Sequence, residues 1–237
     1  MKGATGHTLS PFIDGLQSAG VDVNLVCVAD LCIRPCLGCF SCWVRTPGRC
    51  VHRDSMDDML AEMQRELLIL ATPVYVDGMT GPLKTMLDRV IPLAEPWVEL
   101  RDGHCRHPSR NSSPGTAKMA LLSVSGFYEL DNFDPLVCHA KAIAKNLGRQ
   151  YAGSLLRPYA SALPALRRNG QDVDDIYLAL RQAGECLAQE GLIPRDIENR
   201  VSRHLVTRDK YIEGLNQQFR EQYRAHVTEH EATRPKR

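Results

Sequence analysis

Residues Leu67 to Arg89 read LLILATPVYVDGMTGPLKTMLDR, and their order decides the fold. Leu67 to Ala71 is a short unbroken apolar run, the pattern of a strand covered on both faces in a parallel sheet. Thr72-Pro73 ends it, because Pro73 has no N–H to give to a sheet ladder. Tyr75 to Gly81 is a loop carrying Gly78, Gly81 and an aromatic. Pro82 then suits the first turn of a helix, where its missing N–H would have been unpaired anyway. Leu83, Met86, Leu87 and Val90 follow at helical spacing. A strand, a backbone-exposing loop and a helix form the unit that binds ligands at the carboxyl edge of an open α/β sheet.

The flanking sequence repeats the alternation. Gly3-Ala4-Thr5-Gly6-His7-Thr8 reads as a turn, either a capped surface turn or one holding a phosphate through backbone N–H groups and a helix dipole. Leu9, Phe12, Ile13 and Leu16 then mark one helix face, with Gly20 as the stop. Val21 to Val28 alternates and predicts a strand, and Asp54 caps a helix whose Met56, Met59, Leu60 and Met63 share a face. Leu93 to Thr116 is too long for a simple connection and predicts a hairpin, a lid or an interface arm. Met119 to Val124 predicts a buried strand ending at Ser125-Gly126-Phe127-Tyr128. A helix with Leu136, Ala140, Ile143 and Leu147, a strand over Tyr151 to Leu156 and a helix with Val173, Ile176, Leu180 and Leu187 complete the pattern. Such alternation predicts a doubly wound parallel sheet over residues 1–191. Residues 192–237 predict a helical extension whose apolar stripe includes Ile212, Leu215 and Phe219 and needs a surface to cover it.

Composition narrows the function classes. The net charge of +1 gives no reason to expect nucleic acid or an anionic membrane as partner. No apolar run approaches the ~18 residues of a membrane span, and MKGATGHTLSPF lacks the apolar core of a signal peptide. A cytoplasmic location is expected, and there nine cysteines point to metal or redox chemistry, or to simple burial, before disulfides.

Five of those cysteines fall between Leu31 and Val51, in LCIRPCLGCFSCWVRTPGRCV. Cys36-x2-Cys39-x2-Cys42-x7-Cys50 lets successive thiolates turn toward one centre while a longer arm closes the site. Iron–sulfur clusters are wrapped this way, though the bacterial ferredoxin run has a shorter last gap. Zinc accepts four thiolates as well, usually from two separated pairs, and unligated thiols near a redox site give the same spacing. Arg34, Arg45, Arg49 and Arg53 flank the run and would offset a thiolate-bound cluster's negative charge.

Together, IRPCLGCFSCW, GRC, DSMDDM and ILATPVYVDGMTGPLKTMLDR resemble the iron–sulfur flavoprotein family, a branch of the NAD(P)H-dependent FMN reductases with a flavodoxin-like fold. The resemblance covers Gly3 to Tyr159. It implies one FMN per subunit, its phosphate at Gly6, His7 and Thr8, where the family usually has Asn at the place of His7. It sets Pro73, Val74, Tyr75, Val76 and Gly78 on the ring-binding loop and Ser125, Gly126 and Phe127 at a third cofactor loop. It further implies a [4Fe–4S] cluster on Cys36, Cys39, Cys42 and Cys50, and NAD(P)H or a ferredoxin-like protein as electron donor. A small electron acceptor and a homodimer or homotetramer that completes the flavin site follow from the same likeness. No catalytic side chain is expected, since the flavin carries the chemistry. A cluster-free NAD(P)H:quinone or flavin reductase, and a non-catalytic zinc-stabilised interaction module, are the alternatives.

In the flavodoxin order 2-1-3-4-5, strand 1 lies between strands 2 and 3. Here only Met1 and Lys2 precede the Gly3-Ala4-Thr5 region, so the expectation is a sheet without its first strand, from a shortened version of the gene product.

Overall fold

The computed structural model describes residues 3–111 and 116–233. In chain order the elements are α1 (Gly3–Ser18), α2 (Ser41–Val44), α3 (Met56–Glu62), β1 (Leu67–Pro73), α4 (Gly81–Asp88), β2 (Glu99–Arg101), β3 (His104–Arg106), β4 (Lys118–Val124), α5 (Asp134–Asn146), β5 (Gln150–Arg157), α6 (Leu163–Arg168), α7 (Asp174–Glu190), α8 (Arg195–Ser202) and α9 (Arg208–Thr233). The chain divides into two compact units, Met1–Arg203 and His204–Arg237, and α9 makes up most of the second. No helix among the described residues is long and apolar enough to cross a membrane.

The first unit is a flavodoxin-like α/β fold. Its sheet is parallel with the order β1-β4-β5, Leu67 to Pro73 lying opposite Lys118 to Val124. β4 is central and buried almost throughout, as its unbroken apolar run requires. Its alternate side chains separate two cores. Met119 and Leu121 join Leu70, the methionines of α3, Leu83 and Met86 of α4, and Leu136 and Ala140 of α5. α1 and α7 pack together, with α1 also against β1 and β4. There Gly15 and Gly184 bring two helix backbones into contact: a Cβ at Gly15 would lie 2.0 Å from Arg181 O, and one at Gly184 2.3 Å from Phe12 O.

Two local expectations change. Val21 to Val28 forms no strand; it runs without a ladder partner into a 3-10 turn at Val28–Asp30. The reason is the sheet itself, which among the described residues offers this segment no neighbouring strand. The Gly3–Thr8 turn is helical instead, because Thr8 Oγ1 donates back to Ala4 O at 2.9 Å and Gly6 and Thr8 are buried. The long connection after Leu93 contains the antiparallel hairpin β2–β3, while residues 112–115 of its NSSPG stretch lie outside the described residues.

Arg149 locks the amino edge of the sheet. Its buried guanidinium donates to the carbonyls of Glu66 and Lys118 (both 3.1 Å), Met63 (2.7 Å) and Arg65 (2.6 Å). Burial lowers its pKa from the ordinary arginine value. Replacement by leucine strands several carbonyls without donors, each costing roughly 1–3 kcal/mol. Arg149→Leu is therefore expected to lower Tm by about 5–10 °C in a thermal melt, with Arg149→Lys in between.

Candidate cofactor site at the carboxyl edge

Parallel register sets Pro73 beside Val124 and Val124 beside Arg157, so the loops after β1, β4 and β5 leave the same edge. Val74 N–H donates to Val124 O at 2.8 Å and holds the first two loops together. Thr72 closes the neck of the first: its Oγ1 accepts from Thr80 N–H at 3.2 Å and donates to Pro73 O at 3.0 Å. Ser123 Oγ in turn donates to Thr72 O at 2.8 Å.

The tip is a two-residue hairpin turn. Tyr75 N–H donates to Gly78 O at 2.9 Å and Gly78 N–H to Tyr75 O at 3.1 Å. Val76 and Asp77 between them sit at φ +48° and +58°. Both central residues left-handed is the type I′ arrangement, which favours Asn-Gly. A β-branched valine there is strained, and such strain costs on the order of 1–3 kcal/mol. Val76 is fully exposed and Tyr75 66% exposed, so the strained tip presents backbone and an aromatic face to whatever lies above the sheet edge. Gly78 is not left-handed, and a Cβ there would meet the Tyr75 and Val76 carbonyl oxygens at an ordinary 3.9 Å. The fold thus asks for positive φ at Val76 and Asp77, and leaves Gly78 free of any steric demand of its own.

The loop after β4 is held from beneath. Ser125 is buried, its hydroxyl donates to Phe127 O at 3.1 Å and its N–H to Arg157 O at 3.1 Å. Phe127 is exposed, and space is open around Gly126. Tyr159 N–H donates to Phe127 O at 3.0 Å, and the Tyr159 ring stacks on Tyr128 at 5.4 Å with the Arg157 guanidinium 4.8 Å from its centre. Arg157 is wholly buried and donates to the carbonyls of Pro158, Val201 and Arg203, tying this edge to α8. Nothing in the sequence around Arg157 marks it; only the fold brings its carbonyl partners in α8 to it.

Gly6, His7 and Thr8 lie in the first turns of α1. Past α1, Asp22 faces Arg65 and Asn24 hydrogen-bonds Glu62, at the end where β1 begins. The carboxyl end of α1 is therefore at the amino edge of the sheet, and its amino end points to the carboxyl edge, where α1 packs on the turn Ala160–Ala162. The helix start carries N–H groups without intrahelical partners and the positive end of its dipole. His7 is exposed, and the Thr8 hydroxyl is already engaged with Ala4 O.

The cysteine loop is fastened from below by a buried ion pair. Arg89 Nη1 lies 2.9 Å from Asp54 Oδ2, the two side chains being 1% and 3% exposed. Arg89 also donates to Arg34 O at 2.6 Å, and Asp54 accepts from the N–H groups of Arg34 and Met56. Trp43 Nε1 donates to Ile91 O at 3.2 Å, with its ring between Phe40 and His107. Cys36 and Cys39 are exposed, Cys42 is buried and Cys50 half-buried. Burial pushes the Cys42 thiol up, and the neighbouring Cys50, Cys36 and Cys39 push it the same way. Hydrogen bonds from Ser41 lower Cys39. Among the described residues, however, no three His, Cys, Asp or Glu side chains converge as a metal site. The donor chemistry suits a thiolate-bound metal, while the positions do not yet form its coordination shell.

A parallel sheet with a strained, backbone-presenting loop and a helix amino end at one edge is the part of an open α/β scaffold where ligands bind. Residues 2–104 match the model of the NADPH-dependent FMN reductase family. It is 33% identical over 91 residues to an iron-sulfur flavoprotein of Archaeoglobus fulgidus, covering 38% of this chain and 40% of that protein. It is 30% identical over 93 residues to an iron-sulfur flavoprotein of Methanocaldococcus jannaschii, covering 39% and 47%. The chain thus matches less than half the length of these curated relatives. Among solved structures, an FMN-dependent NADH-azoreductase from Bacillus anthracis superposes with a TM-score of 0.56 at 15% identity, over 79% of this chain and 92% of that one. An NAD(P)H:quinone oxidoreductase from Methanothermobacter marburgensis gives 0.53 at 14%, over 78% and 89%. Both share the fold.

Two measurements probe this geometry. Val76→Asn suits the left-handed conformation better and is expected to raise Tm by about 2–4 °C. Gly78→Ala should leave Tm within about 1 °C, because the free loop has room for the methyl group. For Asp54, burial alone would raise the pKa, but the Arg89, Arg34 and Met56 donors bring it down to about 2 from 3.8. A depressed carboxylate contributes stability that is present above its unfolded pKa and is lost as pH falls through the folded one. Protection of the cysteine-loop amides against exchange is expected to fall between about pH 4 and pH 2, and Asp54→Asn should flatten that profile.

Proposed function

We propose that this protein is an FMN-dependent oxidoreductase that takes hydride from NAD(P)H, or single electrons from a ferredoxin-like protein, and delivers them to a small acceptor. The observation that carries the reading is the strained Tyr75–Gly78 turn at the carboxyl edge, within the stretch that matches the FMN reductase family. Strain of this kind persists where a ligand uses the backbone it exposes. When bound, FMN supplies the redox chemistry, and the protein's part is to hold, orient and tune it. Gly6, His7 and Thr8 at the amino end of α1 would receive the phosphate, favoured by the helix dipole. The backbone of Pro73, Val74, Val76 and Gly78 would meet the ring edge, with Tyr75 and Phe127 as aromatic walls and Ser125 and Gly126 beneath. Tyr75 and Phe127 are both exposed in the single chain, which suits a homodimer or homotetramer that closes the site from outside.

The finer part of the proposal assigns Cys36, Cys39, Cys42 and Cys50 to a [4Fe–4S] cluster, supported by the relatives' names and by the closeness of Cys50, Cys36 and Cys39 to Cys42, whose thiol all three raise. A cluster-free NAD(P)H:quinone or flavin reductase is the second reading, favoured by the lack of a converged metal site among the described residues.

Anaerobically purified protein, reconstituted with FMN, iron and sulfide, separates these. The expected result is about one flavin per chain with twin visible bands, bleached on adding NAD(P)H. Broad brown absorption with acid-labile sulfide, lost together in single Cys→Ser variants at the four positions, supports the cluster. Flavin without sulfide supports the second reading, and failure to retain added FMN removes the flavoprotein assignment.

A further inference from the structure

The second unit of the chain consists mainly of α9, a helix of 26 residues and about 39 Å. Ile212, Leu215, Phe219 and Tyr223 follow one another at steps of three and four residues and so form one stripe along it. Ile212 is 47%, Phe219 58% and Tyr223 72% exposed, and Leu215 is half-buried. With Gly214 in its interior, such a helix draws most of its stability from whatever packs on the stripe.

The charges beside the stripe specify what packs there. Asp209, Glu213, Arg220 and Arg224 are all exposed, and helical periodicity puts them within about 60° of one another on one flank. Neighbours at i,i+4 on that flank are like charges, Asp209 with Glu213 and Arg220 with Arg224, an arrangement that weakens a helix by itself. Glu213 and Arg220 are opposite in sign but about 10 Å apart along the axis, too far to bond directly. Lys210 and Glu221 lie further round, away from the stripe. The flank therefore has an acidic amino half and a basic carboxyl half. Gln218 and Gln222 on the opposite flank are uncharged.

A second copy of α9 laid antiparallel matches the two halves. Two-fold symmetry then sets the same flank of both helices face to face. With the axis between Asn216 and Gln217, Asp209 stands opposite the partner's Arg224 and Glu213 opposite the partner's Arg220. The charges alone fix that register, yet it also interleaves the stripe. Along the axis the order becomes the partner's Tyr223, Ile212, the partner's Phe219, Leu215, the partner's Leu215, Phe219, the partner's Ile212 and Tyr223. Each inner side chain falls between two from the other helix, over a seam of about 20 Å. A parallel pair lacks this match, because the charged flank then meets the uncharged one.

We infer that α9 is a self-association element, which pairs antiparallel with α9 of a second copy of this chain through the Ile212–Tyr223 stripe. The apolar seam supplies the hold, and the Asp209–Arg224 and Glu213–Arg220 pairs across it choose the orientation. None of these residues belongs to the candidate cofactor site.

The test uses the full chain in sedimentation over a range of concentrations. Leu215→Asp puts a charge in the seam and should abolish one association step, which defines the step that depends on α9. Glu213→Arg alone and Arg220→Glu alone each relieve a like-charge neighbour within the helix but create like-charge contacts across the seam. Each should leave the far-ultraviolet circular dichroism unchanged while raising the dissociation constant of that step at least about tenfold. Both changes together restore opposite charges and should return the constant to within about threefold of the parent. Benzoylphenylalanine in place of Tyr223 should photo-cross-link to residues 208–213 of a second chain, read by mass spectrometry of mixed light and heavy protein. The inference is overturned if Leu215→Asp removes no step, or if the double variant is as weak as the single ones. Cross-links to residues 221–226 of a second chain, which mark a parallel pair, overturn it as well. So do cross-links confined to one chain, because its own domain then covers the stripe. None of these readouts depends on flavin.

Discussion

The Asp54–Arg89 pair is the contact on which the arrangement of the site depends. Two opposite charges almost wholly removed from water are costly to bury, and the cost is offset by their mutual bonds and by the further partners of each, although the buried Arg89 Nε has none among the described residues. Asp54 caps the start of α3 through Met56 and receives Arg34 N–H, while Arg89 reaches Arg34 O. One pair therefore fixes the entrance to the cysteine loop, the start of α3 and the end of α4. Since α4 begins where the Tyr75–Gly78 loop ends, the cysteine loop and the candidate flavin loop are positioned by the same short helix. A hydrophobic pair of equal volume would fill the space, but it would not choose among the conformations of a loop as long as 31–51.

Strain at the carboxyl edge is carried by the same logic. A left-handed Val76 is sustained by the neck below it, where Thr72 spans the loop from Pro73 to Thr80 and Ser123 holds Thr72. The bonds at the neck are partly or fully buried, so they resist relaxation of the tip without touching what the tip presents. Ser125, Phe127, Arg157 and Tyr159 repeat the device in the next loops, with buried donors beneath an exposed aromatic. Preorganisation here lies in the backbone, as suits a cofactor that brings its own reactive atoms.

Much of the fold was legible because its periods are simple. The unbroken runs Leu67 to Ala71 and Met119 to Val124, the cap at Asp54, and Pro82 in the first turn of α4 each report a constraint local to a few residues. The cysteine spacing and the TPVY loop were legible for the same reason. What could not be read depends on partners distant in sequence. Val21 to Val28 alternates like a strand, but alternation cannot say whether a neighbour exists to pair with it. Gly3 to Thr8 looks like a turn until Gly6 and Thr8 are seen to be buried in α1. Arg149 and Arg157 look like surface arginines, and only the meeting of several carbonyls around each explains its burial. Gly78 is one of two glycines in its loop, yet the left-handed positions are Val76 and Asp77, of which Val76 runs against residue preference.

The sheet is asymmetric in a way that links the stability of β1 to the ordering of its loop. β4 has a ladder on both sides, whereas β1, which carries the Tyr75–Gly78 loop, has one among the described residues. Local opening is easiest where a segment has fewest partners, so β1 and its loop belong to the less stable part of the domain. A ligand that binds only the ordered loop must draw on the same free energy that orders β1, and its apparent affinity falls by the fraction of molecules in which that strand is frayed. Whatever orders β1 therefore acts on the loop without touching it. Coupling of this sort is reciprocal, so a ligand that holds the ordered loop stabilises the strand beneath it to the same degree that the ordered strand strengthens that ligand's hold.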